Sequence, residues 1–334
     1  MAAQLILHEA DDLEALITAF SGASRPEGDS VPLGPPAGDA PDALELFEGD
    51  PAPMAVYAPE TLGLLAMNDA RVRARRSLER DLRKALIRGE FELHYQPLVS
   101  LQSGAVAGFE ALARWRHPLR GMVLPAEFIP FAEEIGLIGP LGEWALRQAC
   151  AEAATWPNGL KVAVNVSPVQ FSTGDLTHVV LTALASSGLP AARLELEITE
   201  SIHLAESEAN LATLRRLREL GVGLSMDDFG TGYSGLSYLR AFPFNKIKID
   251  RSFVRDLAQN GDCKAIVRAV TGLGASLGIR TTAEGVETAE QFEWLRNEGC
   301  TEMQGYLFSP PIPAGEIREL LRSHPNRDAA LAIA

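Results

Sequence analysis

Acidic and amide side chains recur in this sequence at positions where chemistry is most easily built. Glu110, Asn165, Glu197 and Glu200, the adjacent pair Asp227 and Asp228, Lys248 with Asp250, Glu284 with Glu287, and Gln304 each lie in or just after a short β-rich run. When parallel strands close into a barrel, their C-terminal ends converge on one mouth, so polar groups recurring there meet. Several carboxylates in one low-dielectric mouth repel one another unless cations lie among them. Oxygen ligands without a Cys or His cluster favour hard divalent ions such as Mg2+ or Mn2+ over zinc. One acid of an Asp-Asp pair can bridge two ions while its neighbour binds one, an arrangement suited to in-line displacement at phosphorus.

The elements that must position these residues alternate regularly from about Ser77. Strand-like runs are expected over Phe91 to Val99, Ala105 to Ala113, Val162 to Val166, Leu194 to Thr199, Gly223 to Phe229, Lys246 to Ile249, Arg280 to Ala283 and Glu302 to Tyr306. Amphipathic helical stretches lie between most of them, at Leu141 to Thr155, Ala205 to Leu220, Cys263 to Leu277 and Ala289 to Glu298. Eight strands with intervening helices predict an α/β fold, a (β/α)8 TIM-type barrel of the usual size of roughly 250 residues. Only Ser103-Gly104 separates the first two runs, too short for a crossover helix, so that pair is expected to be antiparallel.

The rest of the 334 residues form a small N-terminal appendage. Residues 1–20 read as a short helix and 21–45 as a Gly/Pro-rich linker; residues 46–76 suggest a hairpin and a basic connecting helix, and 326–334 a tail. The barrel is expected over 77–325. A net charge of −14 argues against binding long nucleic acid through a general phosphate field. Cys150, Cys263 and Cys300 are far apart, as in a reducing cytoplasm, and no apolar run approaches the length of a spanning helix, so no membrane insertion is expected.

Nine segments together resemble the EAL domain family. They are Tyr95-Gln-Pro-Leu-Val, Gly108-Phe-Glu-Ala-Leu-Ala-Arg-Trp, Phe128-Ile-Pro, Asn165-Val-Ser, Glu197-Ile-Thr-Glu-Ser, Asp227-Asp-Phe-Gly-Thr-Gly-Tyr-Ser, Lys248-Ile-Asp-Arg-Ser-Phe-Val, Ala283-Glu-Gly-Val-Glu-Thr and Gln304-Gly-Tyr-Leu-Phe, in the family's order. The resemblance implies a phosphodiesterase that opens cyclic-di-GMP to linear pGpG using two Mg2+ or Mn2+ ions. It further implies that Glu110, Asn165, Glu197, Asp227 and Asp228 are metal ligands, and that Lys248 and Glu284 act in catalysis. Gln96, Leu112, Arg114, Glu287 and Gln304 would contact the nucleotide, Glu200 would anchor the glycine-rich loop, and the protein would be a homodimer through the barrel. Gly235 stands where members commonly carry a second Ser. Residues 46–76 also resemble the opening hairpin of a PAS domain, of which no complete copy fits.

Each residue has a plainer reading. Asp250 or Glu200 alone is as readily a helix cap, Asn165 a turn former, and Lys248 a strand-end surface lysine. His94, His117 and His203 share no metal-ligand spacing, and Phe109, Trp115, Phe128 and Phe131 are expected in the core. The competing function is a cyclic-di-GMP receptor that binds without cleaving, and a second competitor is a phosphodiesterase for another diester.

Overall fold

The computed structural model describes residues 76–157, 159–199, 208–230, 239, 242, 244–257 and 260–323, all within one compact unit, Pro59–Ala334. The proposed N-terminal helix, linker and PAS-like hairpin, the C-terminal tail, Glu200, His203 and Gly235 lie outside these residues.

Eight strands close a barrel in the order β1 (Phe91–Ser100), β2 (Val106–His117), β4 (Lys161–Val166), β5 (Leu194–Thr199), β6 (Gly223–Phe229), β7 (Lys246–Ile249), β8 (Arg280–Ala283) and β9 (Glu302–Met303). β1 runs antiparallel to both β2 and β9, and the other neighbours are parallel. The expected antiparallel opening pair is therefore present. Two short strands lengthen the edges: β3 (Gly121–Val123) extends β2 as a hairpin, and β10 (Ile312–Pro313) pairs with β1. That hairpin explains why β2 continues to His117 instead of ending near Ala113. β9 stops at Met303, earlier than the expected Tyr306, because the chain turns at Gln304 into the mouth.

Helices pack outside. They are α1 (76–88), α2 (Pro125–Glu134), α3 (Ile138–Ala154), α4 (Val169–Thr173), α5 (Leu176–Ser187), α6 (Glu208–Glu219), α7 (Arg251–Arg255), α8 (Gly261–Leu277), α9 (Ala289–Asn297) and α10 (Ile317–Ser323). Local chemistry sets their starts. Asn260 accepts from the backbone N–H of Asp262 and caps α8, and Thr288 with Gln291 forms a capping box on α9.

The strand period of two sorts the core. In β5, Leu194, Leu196 and Ile198 are buried in the main apolar cluster, while Glu195 and Glu197 occupy the alternate positions, each 1% exposed. β7 repeats the scheme, with Ile247 and Ile249 in that cluster and Lys246 and Lys248 on the other face. Both strand faces are buried, as parallel sheets require, but the interior face is charged. A second cluster, including Leu82, Phe91, Trp115 and Phe128, lies beneath α1 and α2, so Trp115 and Phe128 are core residues as expected. Gly108 lets β2 approach β4, since a Cβ there would lie 2.5 Å from the Lys161 carbonyl oxygen.

Candidate active site

Lys248 stands at the centre of the mouth. Its side chain is 1% exposed, and Nζ lies 2.6 Å from Glu284 Oε1, 2.8 Å from Glu197 Oε2, 3.1 Å from Asp227 Oδ1 and 3.4 Å from Glu110 Oε2. These acids arrive from β2, β5, β6 and the residue after β8, so four separate strands contribute to one point. Burial alone would push the ammonium down, but Asp227, Glu110, Glu197 and Glu284 outweigh it and hold the pKa well above the usual lysine value. The surface-lysine reading is excluded.

Amides frame the same point. Asn165 Nδ2 donates to Glu110 Oε1 at 2.6 Å, and Gln304 Nε2 donates to Glu110 Oε2 at 2.7 Å and to Gln96 Oε1 at 2.9 Å. Gln96 Nε2 in turn donates to the Ser309 carbonyl at 3.3 Å. Gln304 is held from behind by Gly305, where a Cβ would sit 2.1 Å from the Val286 carbonyl oxygen, and by Val286 N–H donating to the Gln304 carbonyl.

The charge balance of this cluster is incomplete. Burial pushes the Glu197 carboxyl well above the carboxylate range, with Glu110 and Asp227 adding to the rise and Lys248 opposing it. Burial also raises Glu110, but Lys248 and the bonds from Gln304 and Asn165 bring it below its ordinary value. Glu284 is pushed up to about 8, chiefly by burial, and Asp228 to about 6 by burial and the neighbouring Asp227 and Asp250. Five carboxylates facing one ammonium leave four negative charges when all are ionised, the charge of two divalent cations.

The donor set fits hard cations. Asp227, Asp228 and Glu284 offer oxygens that all lie within 4.8 Å of one another. Glu197 Oε1 is buried without a hydrogen-bond partner among the described residues, a lone pair aimed at no protein donor. Asp228 takes a left-handed backbone, φ 54°, the sole positive value among described non-glycine residues, and its N–H donates to Asp227 Oδ1 at 3.0 Å.

Other residues named from the sequence fall less centrally. Leu112 is half-buried and shares a cavity of about 630 Å3 with Asn165 and Ser167, next to the carboxylates. Arg114 is half-buried; Nη1 donates to the Ala113 carbonyl, and no carboxylate pairs with it among the described residues. Glu287 is exposed and outside the network, its backbone N–H donating to Gln291 in the α9 cap. Asp250 accepts from the Ser252 N–H and caps α7, so its plainer reading holds. His94 bonds Glu92, and His117 Nδ1 accepts from the Leu119 and Arg120 N–H groups, so neither histidine contacts the acids around Lys248. The sequence reading missed the contact of Ser167 Oγ with Glu133 Oε1, 2.6 Å, on the cavity wall. It also missed Glu195, Lys246 and Glu302, whose signal was their place two residues before Glu197, Lys248 and Gln304.

Comparison with known proteins agrees with this fold. The EAL domain family matches residues 79–311. An uncharacterized protein, y4lL, of Sinorhizobium fredii is 56% identical over 78% of this chain and 32% of its own length. The bifunctional diguanylate cyclase/cyclic di-GMP phosphodiesterase MucR of Pseudomonas aeruginosa is 44% identical over 71% of this chain and 35% of its own length. The chain thus spans about a third of these curated relatives. Among solved structures, the PaMucR phosphodiesterase in complex with c-di-GMP superposes with a TM-score of 0.70 at 44% identity, covering 72% of this chain and 99% of that one.

Proposed function

The chain belongs to the EAL domain family, and from that membership we propose that it hydrolyses cyclic di-GMP to linear pGpG with the help of two divalent cations, Mg2+ or Mn2+. The observation that carries the reading is the gathering of Glu110, Glu197, Asp227 and Glu284 around Lys248, with more negative charge than one ammonium balances. Relatives named as cyclic di-GMP phosphodiesterases, MucR among them, support the substrate.

Glu110, Asn165, Glu197 and Asp227 would hold one ion, with Asp227 shared and Asp228 completing the second site beside Glu284. Bound ions would activate water and neutralise charge at the phosphodiester. The protein's own groups do the rest. Arg114, with no carboxylate partner among the described residues, takes a phosphate oxygen, and Leu112 lines the adjoining apolar wall. Glu284, which stands beside Lys248 and within reach of Asp227 and Asp228, accepts the proton of the attacking water as the new P–O bond forms. The bond from phosphorus to the 3′ oxygen breaks, and that oxygen takes up a proton from solvent water while Glu284 returns its own to solvent. Lys248 stays charged and faces the negative charge that grows on the phosphoryl oxygens. Gln96 and Gln304 keep Glu110 in place and remain candidate nucleotide contacts, with Glu287 at the rim; Glu200, the next residue in sequence after β5, keeps its expected role as anchor of the glycine-rich loop. A homodimer through the barrel and a cytoplasmic location belong to the same reading. No helix among the described residues is long and apolar enough to cross a membrane.

The test is incubation of purified protein with cyclic di-GMP and Mn2+, followed by chromatography of the nucleotides. Linear pGpG is the expected product. Intact nucleotide recovered from saturated protein would instead favour a receptor, and cleavage of other diesters alone would point to a different substrate.

A further inference from the structure

Below the acids, the barrel interior carries a second charged layer that the reaction does not touch. Glu195 precedes Glu197 by two residues on β5, Lys246 precedes Lys248 on β7, and Glu302 precedes Gln304 at the end of β9. The two-residue period of a strand directs the first two pairs to the same face, and Gln304 turns into the mouth just past β9. Lys246 Nζ lies 2.5 Å from Glu195 Oε1 and 2.8 Å from Glu302 Oε2. Arg280, at the start of β8, grips the same two acids, with Nη2 2.9 Å from Glu195 Oε2 and Nη1 2.6 Å from Glu302 Oε1. Thr282 Oγ1 adds a bond to Glu302 Oε2 at 3.2 Å.

Layers at this depth of a (β/α)8 barrel are usually filled by branched apolar side chains. Lys246 and Glu195 are each 1% exposed, and removing such charges from water costs much of what their pairing returns, so apolar filling would serve stability at least as well. What the ion pairs supply in addition is fixed geometry. β6 lies between β5 and β7, and β8 between β7 and β9, so Lys246 braces three strands that are not neighbours. Directly above, Lys248 makes the parallel reach from β7 to Glu197 on β5. The two braces differ in one respect: a cation bound by Glu110, Glu197 and Asp227 competes with Lys248 for its partners, whereas the partners of Lys246 are none of those acids.

We propose that Lys246, with Glu195, Glu302 and Arg280, is a positioning device that holds β5, β7 and β9 at a fixed separation, so that Glu197, Lys248 and Gln304 keep their places when divalent cations enter the mouth. The inference rests on the proposed cation site and adds to it a set of residues that touch neither metal nor nucleotide. Disturbing the layer weakens cation binding and lowers kcat.

The experiment compares wild type with Glu195→Gln/Lys246→Met/Glu302→Gln, which removes the ion pairs at nearly constant volume and leaves Arg280 at the partly exposed edge of the layer, and with Lys246→Arg, which keeps the charge and alters its span. Thermal melting establishes folding. Mn2+ affinity is then titrated without nucleotide, and kcat and KM are measured last. Folded variants should bind Mn2+ about 10-fold more weakly, in the range found when groups behind metal ligands are replaced, with kcat reduced. Lys246→Arg keeps the charge of the layer, so a loss of Mn2+ affinity in a variant that still melts cooperatively reports displaced strands and not lost folding, and it decides the matter if the triple variant does not melt cooperatively. Wild-type Mn2+ affinity in either folded variant would overturn the proposal. Because that titration needs no nucleotide, a wild-type protein inert toward cyclic di-GMP would retire the substrate and leave this test intact.

Discussion

Because Lys248 contacts carboxylates from four strands, replacing it and replacing a partner have opposite electrostatic consequences. Glu110→Ala removes a proposed ligand and should weaken Mn2+ binding and turnover by more than about 100-fold, beyond the range for groups that merely support ligands. Lys248→Met removes a competing cation; Mn2+ should bind at least as tightly while kcat falls by about 100- to 1,000-fold, the scale for losing one charge-stabilising group. Isothermal titration and initial rates on the two variants read both effects. The raised carboxyls give a pH dependence of definite sign. A group with a higher pKa folded than unfolded contributes stability that is present at low pH and lost as pH rises through the folded value. With Asp228 at about 6 and Glu284 at about 8, metal-free protein should lose melting temperature as pH rises across that interval. Divalent cations favour the ionised acids, so the Tm gain on adding Mn2+ should be larger near the top of the interval than below it; equal gains at both ends would contradict the shifts. At this scale the acids were legible because they recur at strand ends in one family's order. Their partners were not: nothing in the sequence says that Gln304 and Asn165 both spend amide hydrogens on Glu110, or that Glu287 faces solvent.

Elements place these side chains through backbone contacts that tolerate little added volume. The turn after β9 is the clearest case. Gly305 lies against the Val286 backbone, and Gly305→Ala must push the Gln304 turn away from the residues following β8. Overpacking of this kind costs about 1–3 kcal/mol; since Gln304 bonds Glu110, kcat should fall as well as the urea midpoint. Thr288→Ala offers the contrast. It removes the α9 cap at a cost of about 1 kcal/mol, yet Glu284 remains tied through its N–H to the Ile249 carbonyl at 3.1 Å, so the midpoint should fall with kcat largely retained. Most strand cores could be read from runs of β-branched and apolar residues. Ends shifted where a signal other than periodicity decided them: α8 begins at Gly261, before the expected Cys263, because Asn260 caps it, and β2 is prolonged by its hairpin with β3. The charged interior of β7 was harder to foresee, since Lys-Ile-Lys-Ile reads as readily as a half-exposed strand whose lysines face water.

On the scale of the molecule, the closed barrel turns local alternation into one cluster. A sheet left open would leave Glu110 on β2 and Glu284 beyond β8 near opposite edges; the pairing of β1 with β2 and β9 brings both to Lys248. The sequence announced this closure through its count of strands and the short link between the first two. It did not announce the two stacked charged layers, which exist only once the barrel closes. A cation that binds the folded chain and not the unfolded one should stabilise it by about 2.7 kcal/mol at 100 times its Kd. The most direct test of the whole account is an anomalous difference map from crystals of this protein grown with Mn2+. Two peaks are predicted between Glu110, Asn165, Glu197, Asp227, Asp228 and Glu284, with Asp227 touching both. A fully loaded crystal with no peak among these residues would contradict the proposed site.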